Sequence, residues 1–213
     1  MLACRCRLLE AGYTVRAIVR STSDPEKTAH LTACAAALGA SDRLELFQGD
    51  LLKSGEYDEA FAGADAVVHT AAVVAIRGKN PEKEIVEPSI RGTQNMLDSA
   101  DKSGSVRRII HTSSVAAVQS YDRRPEYRFT EEDEATWSTV ARGDPYGYAK
   151  LGAERLVRNH AGAGDKTYDC VSINPVRHLS DTHKCTTRSH WKIFGTRPFL
   201  SPSIARLDVA TDV

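Results

Sequence analysis

The sequence lacks any excess of charge, because its 28 basic and 28 acidic residues cancel to a formal net charge of +0 at pH 7. A neutral chain has no global field that would draw it onto nucleic acid or an anionic membrane. No apolar run approaches the about 20 residues that a membrane-spanning helix needs, and early arginines break the pattern of a signal peptide. We therefore expect a cytoplasmic protein whose partner is a small molecule, with neither nucleic acid nor membrane as partner and with its oligomeric state open.

Cysteines are few, odd in number and irregularly spaced: Cys4, Cys6, Cys34, Cys170 and Cys185. The sequence also has no Asn-x-Ser/Thr glycosylation acceptor. A secreted domain built on a disulfide framework is therefore not expected. We predict that the thiols are reduced.

Segments with strand and helix patterns alternate along the first 175 residues. Apolar and β-branched runs predict strands at 13–20, 43–48, 66–71, 107–112 and 169–173. Helical patterns cover 7–11, 29–38, 56–61, 90–100 and 146–161. This alternation predicts βαβ units and a doubly wound parallel sheet of the Rossmann-like α/β class. The nearly continuous apolar run at 66–71 is typical of a central strand covered on both faces.

The composition changes after Pro175. Residues 177–192 are rich in His, Thr, Ser and Arg and show neither strand nor helix periodicity. We therefore expect the organisation of the chain to change at residue 175. The group His178, His183, Cys185 and His190 has a spacing that fits no structural zinc pattern, so no metal site is predicted.

The segment Tyr146-Gly147-Tyr148-Ala149-Lys150 begins a predicted helix. Residues four apart on a helix share a face, so the Tyr146 hydroxyl and the Lys150 ammonium can point into one site. A nearby cation favours the phenolate form of a tyrosine, which lets the side chain exchange a proton near neutral pH. The alternative is an ordinary surface turn, and a single Tyr-x-x-x-Lys spacing does not separate the two.

Two serines, Ser113 and Ser114, end a predicted central strand. In open α/β sheets the ligand crevice lies outside the carboxyl ends of the strands, so a hydroxyl there can hold a substrate oxygen. Serine is also common at helix caps, which is the alternative interpretation.

Taken together, several motifs occur in an order that resembles the extended short-chain dehydrogenase/reductase family, of the NAD-dependent epimerase/dehydratase type. Within that family the resemblance is to dihydroflavonol and cinnamoyl-CoA reductases, with the N-terminus truncated. The matching segments are Leu9-Glu10-Ala11-Gly12-Tyr13-Thr14-Val15-Arg16-Ala17, Val19-Arg20, Gly49-Asp50-Leu51, Val68-His69-Thr70-Ala71-Ala72, Glu87-Pro88-Ser89-Ile90-Arg91-Gly92-Thr93, His111-Thr112-Ser113-Ser114, Tyr146-x-x-x-Lys150 and Ile173-Asn174-Pro175.

The resemblance implies a carbonyl reduction catalysed by Ser114, Tyr146 and Lys150. Tyr146 would be the general acid at the carbonyl oxygen, and Lys150 would favour its phenolate and bind the nicotinamide ribose. Ser114, the last serine before Val115-Ala116-Ala117, would orient the carbonyl. The hydride would come from the cofactor.

The resemblance also implies where a cofactor lies. Arg20, at the end of the strand at 13–20, favours NADP because a guanidinium pairs with the 2′-phosphate. An acidic residue there would select NAD, which stays possible. The other implied cofactor-binding residues are Lys27, Asp50, Leu51, Thr70, Ala71, Ala72 and Pro175, together with Tyr146 and Lys150.

The chain departs from the family pattern at two places. It has no Gly-x-x-Gly-x-x-Gly motif, whose amides would contact the diphosphate, and 176–190 lacks the family's glycine-rich turn. The resemblance therefore implies an incomplete Rossmann-like sheet: an NAD(P)-binding domain over 1–175 that lacks its first strand, which is central, and its glycine loop. Over 176–213 it implies a partial or altered remnant of the C-terminal substrate lobe. An NADP-dependent reductase, an inactive fragment or binding protein, and an NAD-dependent nucleotide-sugar epimerase or dehydratase all stay open.

Overall fold

The computed structural model describes residues 2–72, 78–130, 132–163, 166, 168–175 and 206–210. The helices are α1 (Leu2–Glu10), α2 (Pro25–Ala37), α3 (Asp58–Phe61), α4 (Glu87–Ser103) and α5 (Pro145–Ala161). The strands are β1 (Thr14–Val19), β2 (Leu44–Gln48), β3 (Ala66–His69), β4 (Arg108–Thr112), β5 (Asp169–Ile173) and β6 (Arg206–Ala210). The alternation of strands and helices over the first 175 residues agrees with the pattern in the sequence.

All six described strands pair in parallel in one sheet, in the order β2-β1-β6-β3-β4-β5. Helices cover both faces. On one face Leu9 of α1 and Ala35 of α2 pack near Val15 and Val68, and on the other Met96 of α4 lies in the largest cluster of buried side chains. The predicted doubly wound, Rossmann-like sheet is confirmed.

The strand β6 takes a central position in the sheet. Its backbone pairs with β1, where Val15 is opposite Leu207, and with β3, where Val68 is opposite Val209. The sequence analysis expected the sheet to lack a central strand, and the structure fills that position from the far end of the chain. The predicted boundary between 1–175 and 176–213 stays a prediction, since most of the second range lies outside the described residues.

Helix capping explains where the structure differs from the predicted helix bounds. We predicted a helix over 29–38, but α2 begins at Pro25 because the Asp24 side chain accepts a hydrogen bond of 2.9 Å from the Glu26 amide. At the C-terminus of α4, Gly104 adopts a left-handed conformation with φ of 61°, which ends the helix after Ser103, beyond the predicted residue 100.

The expectation of reduced thiols is wrong for one pair. Cys6 of α1 and Cys34 of α2 form a disulfide with a Cα–Cα distance of 6.1 Å. They are 28 residues apart in sequence, so their spacing alone gave no sign of the pairing that the packing of α1 on α2 creates. Cys170 is a free thiol, and burial raises its pKa to about 12. In the part of the chain that the structure describes, no helix is long and apolar enough to cross a bilayer.

Candidate active site

A cavity opens at the carboxyl edge of β3 and β4, between α4 and α5. Its polar lining includes Tyr146, Lys150 and His111, and its apolar lining consists of small side chains: Ala71, Ala72, Ala149 and Ala153. The carboxyl edge is where open α/β sheets bind ligands. The structure thus brings four of the residues predicted from sequence, Tyr146, Lys150, Ala71 and Ala72, to one cavity.

The start of α5 is fixed by a cap that positions Tyr146. The Asp144 side chain accepts a 2.9 Å hydrogen bond from the Gly147 amide and a 2.6 Å bond from the Ser138 hydroxyl, and Pro145 occupies the first turn. A Cβ at residue 147 would collide with Asp144 and Ser138. The glycine between the two tyrosines is therefore needed for the cap to close.

Tyr146 and Lys150 meet as their helical spacing predicts. The Lys150 ammonium lies 6.0 Å from the centre of the Tyr146 ring and donates a 3.3 Å hydrogen bond to the Thr112 carbonyl at the end of β4. Lys150 is buried, and this burial lowers its pKa, with the Glu154 carboxylate acting in the opposite direction. A cation with a lowered pKa can both stabilise a phenolate and exchange a proton itself.

The two adjacent serines have different surroundings. The Ser113 hydroxyl donates a 2.6 Å hydrogen bond to the buried Glu154 carboxylate, which also accepts a 3.1 Å bond from the Asn174 amide. The Ser114 oxygen accepts a 3.2 Å bond from the Ala116 amide and caps a short 3-10 turn, while its hydroxyl hydrogen remains available to donate. Ser113 is thus engaged in a structural network, and Ser114 retains donor capacity two residues beyond the carbonyl that binds Lys150.

The residues predicted at the adenine end follow β1 and β2. Arg20 comes directly after β1 and is exposed, and Lys27 is half-buried in α2. After β2, the Asp50 carboxylate accepts a 2.9 Å bond from the Leu52 amide, which closes a turn, and Leu51 is buried. These four residues lie at the same edge of the sheet as the cavity but do not line it.

The remaining predicted positions are the ends of β3 and β5. Thr70 is half-buried directly after β3. Pro175 follows β5, and its carbonyl accepts a 3.2 Å bond from the Val115 amide, which ties the end of β5 to the turn that follows Ser114. The end of β5 is therefore joined by a backbone hydrogen bond to the turn that follows β4.

Comparison with known proteins identifies the family. The model of the NAD dependent epimerase/dehydratase family matches residues 4–193. The chain belongs to this family.

Relatives in the family include plant reductases. The chain is 40% identical over 179 residues to cinnamoyl-CoA reductase 1 of Petunia hybrida, a match that covers 79% of this chain and 48% of the relative. It is 33% identical over 177 residues to dihydroflavonol 4-reductase of Hordeum vulgare, covering 79% of this chain and 47% of the relative. The chain spans about half the length of the curated relatives it matches.

A solved structure of similar fold is the yeast methylglyoxal/isovaleraldehyde reductase Gre2 complexed with NADPH. The two share 25% sequence identity with a TM-score of 0.68, over 82% of this chain and 54% of the other. The structural likeness thus extends to an oxidoreductase of the same sheet architecture.

The sequence analysis missed several residues that line or support the cavity of this chain. It assigned no role to His111, Ser89 or Thr93, which line the cavity, or to Glu154, which connects Ser113 and Asn174. The signal for the histidine was present, because His111 interrupts an apolar strand near its carboxyl end. Glu154 carried no signal, since a glutamate on a long helix is usually exposed.

Within the described ranges, no group of three or more His, Cys, Asp or Glu side chains could hold a metal ion. The cluster of His178, His183, Cys185 and His190 lies outside the described residues.

Proposed function

We propose that this chain carries the catalytic core of an NADPH-dependent reductase that acts on the carbonyl group of a small molecule, similar to dihydroflavonol reductases. One observation carries the proposal. Tyr146 and the buried Lys150 meet in a cavity at the carboxyl edge of the sheet, with the ammonium 6.0 Å from the centre of the tyrosine ring. A proton donor next to a buried cation is the arrangement that protonation of a carbonyl oxygen requires.

The residues fit a nicotinamide nucleotide at both ends. At the nicotinamide end, the small side chains of Ala71, Ala72 and Ala149 line the cavity beside Lys150. At the adenine end, Asp50 forms a closed turn after β2, and a guanidinium stands after β1 at Arg20. The diphosphate in the middle of the cofactor would have fewer backbone contacts, because the sequence has no Gly-x-x-Gly-x-x-Gly motif to supply amides for it.

A bound NADPH would supply the hydride. Tyr146 would donate its hydroxyl proton to the carbonyl oxygen of the substrate, and the Lys150 ammonium would stabilise the phenolate that remains. Ser114 would donate a hydrogen bond to the same carbonyl oxygen and so fix its orientation. Lys150 has further N–H groups besides the one bound to Thr112, and these would bind the ribose hydroxyls.

Two arguments support NADP as the cofactor and a carbonyl compound as the substrate. A guanidinium at Arg20 can form charge-assisted hydrogen bonds with a 2′-phosphate, which NAD lacks. The relatives named above are reductases, and the yeast structure was solved with NADPH. The identity of the carbonyl compound depends on the substrate lobe, and residues 176–205 lie outside the described part of the chain.

The deciding experiment is a titration of the purified chain with NADPH and NADH, followed by fluorescence, and an assay of NADPH oxidation with a panel of aldehydes and ketones. We expect saturable binding that favours NADPH. The variant Arg20→Asp should reverse the preference, because it removes the phosphate contact and offers an acceptor to the 2′-hydroxyl. Equal affinities in parent and variant would contradict the role of Arg20.

Other outcomes would overturn the proposal itself. Absence of binding at millimolar NADPH would favour an inactive fragment or a binding protein, for which the missing glycine motif is the specific argument. Tightly retained NAD in the purified protein would favour epimerase or dehydratase chemistry.

A further inference from the structure

Two histidines lie buried side by side at the carboxyl ends of β3 and β4. His69 and His111 occupy paired positions in the two strands and are 1% and 2% exposed. Their ring centres are 5.4 Å apart, and the ring planes differ by 17°. His111 also lines the cavity that contains Lys150. The proposed reduction assigns neither ring a role.

The ring nitrogens are not satisfied by the described part of the protein. Nδ1 of His69 and both nitrogens of His111 have no hydrogen-bond partner there. The nearby hydroxyls of α4 donate elsewhere, Thr93 to the Ser89 carbonyl at 2.9 Å and Ser89 to the Ile85 carbonyl at 2.6 Å. Buried polar groups in native proteins are almost always hydrogen-bonded. Because His111 borders the cavity, its partner can come from a group bound there.

Both rings are neutral at physiological pH. Burial, then the charge of Lys150, lowers the pKa of His69 to about 3, and burial likewise lowers the pKa of His111 well below its ordinary value. A neutral imidazole offers one acceptor and one donor. The charged groups on this side are the Lys150 ammonium and the Glu154 carboxylate of α5, and the polar groups that α4 presents are the hydroxyls of Ser89 and Thr93.

We propose that His111 is a positioning residue for Lys150. A hydroxyl group bound in the cavity accepts a hydrogen bond from the Lys150 ammonium and donates one to the free ring nitrogen of His111. This bridge directs the ammonium toward Tyr146, and His69 stacks against His111 and fixes the plane of its ring. Without cofactor the hydroxyl belongs to water, and a ribose hydroxyl of a bound cofactor would take the same place. Its relevance to reduction rests on the proposed function, whereas the coupling of His111 to Lys150 does not.

The test measures the pKa of Lys150 without any cofactor. Trace acetylation with acetic anhydride across pH 7 to 11, read by mass spectrometry at the peptide that contains Lys150, reports the fraction of free amine, with the exposed Lys53 as reference. His111→Phe removes the acceptor but keeps a buried aromatic ring, so the ammonium loses stabilisation and its pKa falls. We expect Lys150 labelling at pH 8 to rise about 3-fold, which corresponds to about half a pKa unit.

Matched variants separate hydrogen bonding from packing. His111→Gln retains an acceptor and should restore the parent labelling curve. His160→Phe alters a histidine on the same helix as Lys150 that instead contacts Asp101 at 2.9 Å, and it should leave Lys150 labelling unchanged. Identical Lys150 curves in the parent, His111→Phe and His160→Phe would overturn the proposal, and so would an equal change in His111→Phe and His111→Gln.

A second measurement tests the proposal even if the His111→Phe variant does not fold. In the 15N-histidine-labelled chain, Lys150→Met should shift the ring-nitrogen resonances of His111 and leave those of His160 in place. Unchanged His111 resonances would overturn the proposal.

Adding NADPH to the labelled parent distinguishes the two sources of the hydroxyl. A further shift of the His111 ring resonances identifies ribose, and an unchanged spectrum with bound NADPH identifies water. A parent chain that binds no NADPH refutes the proposed function, while the labelling result for Lys150 still stands or falls by itself.

Discussion

The two ends of the sheet's carboxyl edge are built in different ways. At the β3–β4 end, Tyr146 and Lys150 are positioned by a capped helix, and Glu154 joins α5 to Ser113 and Asn174. At the β1–β2 end, Arg20 is an exposed side chain directly after a strand. The first end depends on buried and part-buried hydrogen bonds, and the second depends on the charge of a solvent-accessible group.

This difference separates the chemistry from the choice of cofactor. A proton donor must be held within a fraction of an ångström of its productive position, so it needs rigid, buried support. A guanidinium that selects a phosphate tolerates more freedom, because charge attraction acts over a longer range. Substitutions at the β3–β4 end should therefore change turnover and stability together, whereas those at the β1–β2 end should change one property at a time.

The largest expected effect is that of Tyr146→Phe on turnover. In a form of the chain that binds NADPH and reduces a carbonyl compound, loss of the proton donor should lower kcat by at least about 100-fold, since general acid catalysis contributes about 10²–10⁴-fold. NADPH affinity should survive. The matched control is Tyr148→Phe, because Tyr148 is 38% exposed and does not line the cavity.

Steady-state rates and NADPH dissociation constants of both variants decide the matter. Full activity in Tyr146→Phe, or a larger loss in Tyr148→Phe, would refute the assignment of the proton donor.

Glu154→Leu should cost the most stability. It leaves the Ser113 hydroxyl and the Asn174 amide without their shared acceptor, and an unsatisfied buried polar group costs about 1–3 kcal/mol. Urea unfolding followed by circular dichroism measures the loss. Glu10→Leu is the comparison, because Glu10 forms an exposed ion pair with Arg7, a kind of contact worth at most about 1 kcal/mol. Equal losses in the two variants would show that the Glu154 network contributes no more than a surface contact.

The N-terminal caps of α5 and α2 allow a direct comparison of the β3–β4 end with the β1–β2 end. Asp144→Ala at α5 and Asp24→Ala at α2 each remove a side chain that accepts a 2.9 Å bond from a first-turn amide, so each should cost about 1 kcal/mol of unfolding free energy. Only Asp144→Ala should also reduce kcat, because its cap positions Tyr146. If Asp24→Ala lowered kcat to the same extent, the proposed difference between the β3–β4 end and the β1–β2 end would be refuted.

The smallest expected effect is on the pH dependence of the unfolding free energy. A hydrogen bond from Lys102 lowers the pKa of Asp58 below its ordinary 3.8, burial opposes this, and Ser99 adds a second bond that lowers it. A carboxyl with a lowered folded-state pKa contributes stability that is present above about pH 4 and is lost as pH falls through the folded pKa. Asp58→Asn should therefore flatten the fall in unfolding free energy between pH 5 and 3. An unchanged slope in urea titrations would show that the pair is fully screened.

Much of the fold was predictable because its signals are local. Apolar runs marked β3 and β5 at their observed positions or within two residues, and the periodicity of α5 began one residue from its observed start. The disulfide between Cys6 and Cys34 was not predictable, since it depends on two helices packing together. The central place of β6 was equally hidden, because strand order is a long-range property and residues 206–210 have no local feature that marks them as central.

The candidate site divides in the same way. The sequence by itself determined the Tyr146–Lys150 pair, because a spacing of four on a helix fixes two side chains on one face wherever the helix lies. Only the tertiary structure decided that Ser113 is bound by Glu154, that His69 stacks on His111, and that His111 faces the same cavity as Lys150. These contacts join residues far apart along the chain, and they arise only once parallel strands come into register and α5 packs over their carboxyl ends.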